Sequence, residues 1–276
     1  GLEAARVAAE RGLRVTLAEA QPQLGGQFRL AGLQPRRAQI LDLIDWYGRQ
    51  FLRLGVELRH DCYIEAADLR AEAPDAVVLA TGSLPDGDAT QRWMPGAERL
   101  PGLAHGGVWS PEDVMGRVMR PGTEPVLVYD ESGHWRGLGT AWHLAEQGVP
   151  VTLAMPDAFA GRELVRTAAD GPLRARLRRL GVRIVTECVV AEWRGPGRGA
   201  VLRSLLDGEE TAIPAAALVM STTNRAFDPI SGEPGADFGG MAVHLIGDAA
   251  APRLAPYAFH DGRRTGMALW AGPVAG

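Results

Sequence analysis

Five short segments of the chain carry the glycines and carboxylates that can hold a phosphorylated nucleoside: Gly1, Glu19, Gly25-Gly26-Gln27, Ala80-Thr81-Gly82 and Gly247-Asp248. Gly1 opens a run in which Leu2, Ala5 and Ala9 share one helical face; Gly12 would end that helix and Val15-Thr16-Leu17 would form the next strand. A glycine at a helix start lets a pyrophosphate approach amides the helix leaves unpaired, and the helix dipole favours its negative charge. Gly1 therefore reads as the third glycine of a G-x-G-x-x-G fingerprint. The chain is expected to begin inside a βαβ unit with the first strand missing. Glu19, at the end of the following strand, can accept both hydroxyl protons of an adenosine ribose and would repel a 2'-phosphate, so FAD or ADP fits and an NADP adenosine does not. A plain helix and strand ending in a surface glutamate would account for the same residues.

Gly25 and Gly26 can offer further backbone donors with no Cβ in the way, with a simple turn as the alternative. Ala76-Val77-Val78-Leu79-Ala80 is the continuous apolar run of a parallel strand covered on both faces. Ala80-Thr81-Gly82 ends it at the edge where α/β sheets bind ligands, or as a strand-ending turn. Tyr63 follows a short apparent strand, Cys62-Tyr63-Ile64, and is a weak candidate for the adenine neighbourhood; an ordinary half-buried aromatic is the simpler reading. Gly247-Asp248, taken alone, is a turn or cap after a strand. His134, His143 and His260 assemble into no His/Cys or Ser/His/Asp constellation, so no catalytic and no metal-binding residue is assigned.

The positioning elements follow from periodicity. Ile40, Ile44, Tyr47, Phe51 and Leu54 mark one helix face, entered near Pro35 and stopped at Gly55. A second α/β series runs through the strand Val126–Tyr129, a helix Gly139–Gln147, the strand Val151–Ala154, a helix Leu173–Leu180 and the strand Val182–Val185. Apolar strands return at Ala217–Met220 and Val243–Ile246, before a closing helix Tyr257–Trp270. Strands alternating with helices indicate parallel sheets with right-handed crossovers. The fold class expected is α/β, with two Rossmann-like dinucleotide-binding domains, the second inserted into the first. Residues 1–85 and 215–276 form the FAD/ADP domain, 86–122 a linker or crossover with a short helix at Pro111–Val118, and 123–214 the inserted NAD(P)-domain-like part.

In that inserted part the first turn reads Asp130-Glu131-Ser132-Gly133-His134-Trp135-Arg136-Gly137-Leu138-Gly139. It is longer than G-x-G-x-x-G and opens with two carboxylates, so NAD(P)H binding there is disfavoured.

Composition excludes several partners. A net charge of -4, from 29 basic and 33 acidic residues, gives no basic field for nucleic acid and no polybasic membrane anchor. Two distant cysteines, Cys62 and Cys188, make neither a C-x-x-C pair nor a disulfide framework, which fits a reducing cytoplasm. Small molecules or proteins are the expected partners.

Gly25-Gly26-Gln27-Phe28-Arg29-Leu30-Ala31, Asp130-Glu131-Ser132-Gly133-His134 and Ile246-Gly247-Asp248-Ala249-Ala250-Ala251-Pro252-Arg253 together resemble the C-terminal half of the trimethylamine dehydrogenase and 2,4-dienoyl-CoA reductase family. The family includes N-methylproline demethylase-like enzymes and NADH:flavin oxidoreductases. The resemblance implies a disulfide-reductase-like FAD/NAD(P) fold whose cofactor here is FAD or ADP, with Asp248 on the ribityl chain. It implies that an N-terminal barrel related to old yellow enzyme, absent from this sequence, carries FMN, a 4Fe-4S cluster and the catalytic residues. The chain is then expected to be part of an oxidoreductase but inactive when isolated. Its expected partners are the barrel domain, the nucleotide and an electron-transfer protein. A structural module holding ADP, or an NAD(P)H-dependent FAD reductase domain, are the alternatives.

Overall fold

The computed structural model describes residues 1–232, 238 and 240–269, so the expected helix end at Trp270 lies outside the described residues. In chain order the elements begin with α1 (Leu2–Glu10), β1 (Thr16–Ala18), α2 (Gly26–Gly32), α3 (Asp42–Leu54), β2 (Glu57–Arg59), α4 (Ala66–Glu72), β3 (Ala76–Leu79) and β4 (Ser83–Leu84). β5 (Val108–Trp109), α5 (Pro111–Met115), β6 (Val126–Asp130), α6 (Trp135–Glu146), β7 (Val151–Ala154), α7 (Asp170–Arg179) and β8 (Arg183–Val185) follow. The chain continues through β9 (Cys188–Gly195), β10 (Gly199–Ser204), β11 (Glu210–Ile213), β12 (Ala217–Ser221), β13 (Arg225–Ala226), β14 (Ala242–Leu245) and α8 (Ala255–Ala268). These divide into two compact units, one of residues 1–29, 39–84 and 224–276 and the other of residues 30–38 and 85–223.

In the first unit β1 pairs in parallel with β2 and β3 in parallel with β14, while β4 and β13 form a short antiparallel ribbon. The helical periodicity read from Ile44, Tyr47 and Phe51 holds, since these three are the buried residues of α3. They form one core cluster with Ala5 and Ala9 of α1 and with Leu24 and Val56. α1 also lies close against α8: a Cβ at Gly266 would come within 2.9 Å of the Ala4 carbonyl oxygen. Two short helices, α2 and α4, stand where the sequence reading assigned no helix. Residues Cys62 to Ile64 are not a strand; Cys62, just after a bend, donates its amide to the Glu19 carbonyl.

The second unit is built on a five-stranded parallel sheet, β5-β12-β6-β7-β8, with a three-stranded antiparallel meander β11-β10-β9. Val126 to Asp130 are all buried, as a strand sandwiched on both faces requires. Two expected boundaries move. The segment read as a linker supplies β5 and α5 to this unit, and α5 has a capping box in which Ser110 accepts from the Asp113 amide. Residues 217–221, expected in the FAD/ADP domain, pair with β6 from Ala217 opposite Val126 to Ser221 opposite Asp130, so the chain returns to the first unit at 224 rather than 215. Residues 30–38 also belong here: Gln34 donates to the carbonyls of Trp135 and Arg136, and the Arg37 guanidinium lies 4.7 Å from the Trp135 ring centroid.

Candidate nucleotide site

Loops that leave the carboxyl ends of parallel strands are where an α/β unit can place ligand-binding groups. In the first unit the loops after β1, β3 and β14 carry expected residues, and Gly1 precedes α1. Gly1 is the N-cap of α1, and a Cβ built on it would make ordinary contact, 3.4 Å, with the Cβ of Ala80 at the end of β3. Glu19 follows β1, and its Oε1 accepts the Gln21 amide at 2.9 Å. Gly25 and Gly26 both have positive φ, +106° and +45°, immediately before and at the start of α2. Gly82 has φ +84° and Gly247 φ +60°.

The positive φ favours glycine at Gly25, Gly26, Gly82 and Gly247, and at Gly25 space requires it as well. A Cβ on Gly26 or Gly82 would project into open space with no atom within 4 Å, whereas one on Gly25 would meet Ile44 Cδ1 at 2.8 Å. Gly26 and Gly82 thus leave a surface that a ligand can approach closely, and Gly25 is small because Ile44 packs over it. The groups a nucleotide could use here are the open glycine surface at Gly26 and Gly82 and the Glu19 carboxylate after β1.

Hydrogen bonds tie three of the loops together. Gln27 Nε2 donates to the Ser83 carbonyl and, at 3.2 Å, to Ser83 Oγ. Ser83 Oγ donates to Asp248 Oδ2 at 3.2 Å, and Asp248 Oδ1 accepts the Arg253 amide at 3.1 Å. Asn224 Nδ2 donates to Gln27 Oε1 and to Ser83 Oγ, each at 3.2 Å. Beside them Thr81 Oγ1 donates to the Phe227 carbonyl, and the Phe227 amide donates to the Gly82 carbonyl. The geometry therefore joins Gln27, Gly82 and Asp248 through two residues to which the sequence reading gave no site role, Ser83 and Asn224. Neither belongs to a motif, and they are separated by 141 positions, so only the fold brings them together. Tyr63 is brought to none of these groups; its side chain is 57 % exposed.

The second unit ends its strand β6 differently. Asp130 closes β6 and is fully buried, its Oδ1 accepting from the Ser132 amide, the Ser132 hydroxyl at 2.6 Å and the Ser221 hydroxyl at 3.2 Å. Oδ2 has no hydrogen-bond partner among the described residues. Burial outweighs the three donors and pushes the carboxyl up to about 6. A Cβ on Gly137, in the first turn of α6, would sit 2.5 Å from this carboxylate. Glu131 is buried too, accepting the Arg92 amide at 2.6 Å; burial raises its carboxyl and Arg92 opposes the rise. Arg136 pairs with Glu112 at 2.7 Å and donates to the Thr222 carbonyl. The chain's own carboxylates and their partners thus fill the turn where a pyrophosphate would need amides and glycine surface. These residues do not fit a nicotinamide dinucleotide.

No protein-family model matches the chain. The chain is 40 % identical over 165 residues to a probable N-methylproline demethylase of Rhizobium meliloti, a match covering 60 % of this chain and 23 % of that protein. It superposes along its whole length on 43 % of a histamine dehydrogenase from Rhizobium sp. 4-9, with TM-score 0.91 and 29 % identity. These relatives are oxidoreductases. The thioredoxin reductase of T. acidophilum, 14 % identical, matches 97 % of this chain and 93 % of its own with TM-score 0.63, a likeness of fold alone. The chain spans less than half the length of the demethylase and dehydrogenase it resembles. Among the described residues no helix is long and apolar enough to cross a membrane, and no cluster of His, Cys, Asp and Glu could hold a metal ion.

Proposed function

We propose that the first unit is the FAD- or ADP-binding module of a flavin-dependent oxidoreductase of the trimethylamine dehydrogenase and 2,4-dienoyl-CoA reductase family, acting on an N-methylated amine or an enoate. The observation that carries this reading is the joining of the Gly25-Gly26-Gln27, Gly82 and Gly247-Asp248 loops by side-chain hydrogen bonds, with open glycine surface at Gly26 and Gly82. The demethylase and dehydrogenase relatives support the reaction class. Gly1, Gly25 and Gly26 would receive the pyrophosphate, Glu19 the adenosine ribose, and Asp248 the sugar-alcohol chain of a flavin. Ala80, Thr81, Gly82 and Gly247 would line the approach. A bound flavin would supply the redox chemistry; the residues named here bind and orient.

The second unit keeps the disulfide-reductase-like place of an inserted NAD(P) domain, with the carboxylate-filled turn arguing against nicotinamide binding. Substrate chemistry would belong to a barrel carrying FMN and an iron–sulfur cluster, electrons would leave to a partner protein, and the whole would work in the cytoplasm. The second reading, structural ADP with no electron passing, is favoured by the same donor set, because none of the groups assigned to the adenosine half requires a flavin.

Calorimetric titration with FAD and with ADP, together with an absorption spectrum of the purified chain, tests both. One equivalent of FAD with a flavin spectrum supports the electron-carrying module. Binding of ADP alone supports the structural role, and binding of neither overturns the assignment.

A further inference from the structure

Ser83 stands at the centre of the first unit's polar cluster, and its hydroxyl has no capacity left over. A serine hydroxyl offers one proton and two lone pairs. Here the proton goes to Asp248 Oδ2, and the lone pairs receive Gln27 Nε2 and Asn224 Nδ2, all at 3.2 Å. The amide protons around it are also fully used. Gln27 Nε2 has a second acceptor in the Ser83 carbonyl, and Asn224 Nδ2 a second acceptor in Gln27 Oε1. The donors and acceptors interlock, so the orientations of both amides follow from the network itself.

The backbone makes the hub rigid. Ser83 is 5 % exposed and lies in β4, where it is opposite Ala226 of β13, two residues beyond Asn224. Asp248 is held from its other side by the Arg253 amide, and Gly25 accepts the amide of Phe28, which fixes the turn before Gln27. Loops that leave different strands are ordinarily the most mobile parts of a fold. A saturated polar cluster between them removes that freedom before any ligand arrives, which is how preorganisation raises affinity.

We propose that Ser83 and Asn224 are positioning residues that lock the Gly25–Gln27, Thr81–Ser83 and Gly247–Asp248 loops into one rigid lip and set the direction of the Asp248 carboxylate. The locking itself requires no ligand; its consequence for affinity rests on the nucleotide reading above.

Amide hydrogen exchange on the unliganded protein, comparing the parent with Ser83→Ala, Ser83→Thr and Asn224→Ala, reads the locking directly. Ser83→Ala should speed exchange together at Phe28, Phe227 and Arg253, by about tenfold, the loss expected for a hydrogen bond to a charged group. Asn224→Ala should do the same, Thr at position 83 should restore much of the protection because it keeps the hydroxyl, and the amides of α3 should not change. Faster exchange confined to residues 82–84, with Phe28 and Arg253 unaffected, overturns the proposal. Titration with FAD and ADP adds the consequence: Ser83→Ala should weaken whichever nucleotide the parent binds by about tenfold, with the melting temperature of the α3 core preserved. A parent that binds neither nucleotide overturns the functional reading alone, and the exchange data still decide the locking. Unchanged affinity with raised exchange overturns the link between the lip and binding.

Discussion

At the end of β3 in the first unit stands Gly82, with φ +84° and open space where a Cβ would go; at the end of β6 in the second stands Asp130, fully buried against Ser132, Ser221 and Gly137. Both lie at the carboxyl end of a parallel strand, the place where this architecture can bind a ligand. In the first unit the polar side chains bond to one another from loop to loop and leave the glycine surface free. In the second they turn inward, and the glycine serves a side chain of the chain itself. The two units differ in what their strand ends leave exposed, open glycine surface in the first and buried carboxylates of the chain itself in the second.

That difference can be broken at its steepest point by Gly137→Ala, which forces a Cβ to within 2.5 Å of the buried Asp130 carboxylate and should cost about 3 kcal/mol. Gly82→Ala adds only the strain of a left-handed alanine, about 1 kcal/mol, because nothing lies within 4 Å of the added carbon. Denaturant melts of the two variants should therefore differ clearly, and equal losses would mean that the two glycines are constrained alike.

The pH dependence sharpens the same contrast. The Asp130 carboxyl is raised in the folded state to about 6 from 3.8, so between these values the unfolded chain releases a proton that the folded chain retains. Its contribution to stability is present in full below pH 3.8 and is lost as pH rises to about 6, an effect on the order of 2 to 3 kcal/mol. Melting temperature followed from pH 4 to 7 should show a decline that Asp130→Asn removes. A parallel decline in the variant would assign the effect to another group.

In the first unit Glu19→Ala should lower ADP affinity by about tenfold, the loss of a charge-assisted hydrogen bond to a ribose, with little change in stability since the carboxylate accepts one local amide. Calorimetry on the variant checks it, and unaltered affinity would detach Glu19 from the site. The smallest change is expected for Tyr63→Phe. The residue is 57 % exposed, and the variant should alter neither stability nor nucleotide affinity measurably; a clear loss of affinity would return Tyr63 to the adenine neighbourhood.

The reach of the sequence differed between elements for identifiable reasons. α3 was legible because its apolar residues repeat over thirteen positions, long enough for the period to stand out. α2 and α4 have seven residues each, under two turns, and no such repeat can establish itself. The meander β9–β11 was passed over although Gly195-Pro196-Gly197 and Asp207-Gly208 mark its two turns; β9 is buried at nearly every position, so its alternation is hidden. β12 reads as an apolar run that could join either sheet, and only pairing with β6 assigns it.

Local chemistry was set by the residues in order along the chain: glycines where the backbone takes positive φ, a glutamate after β1, an aspartate after β14, and two carboxylates where a phosphate loop would need none. Those constraints act within a few residues, so they survive in the sequence. The tertiary structure decided which of these groups meet, because the Ser83 hydroxyl reaches Gln27, Asn224 and Asp248 across separations of 56, 141 and 165 positions. A hydrogen bond depends on distance and direction in space, and at those separations only the packed strands supply them.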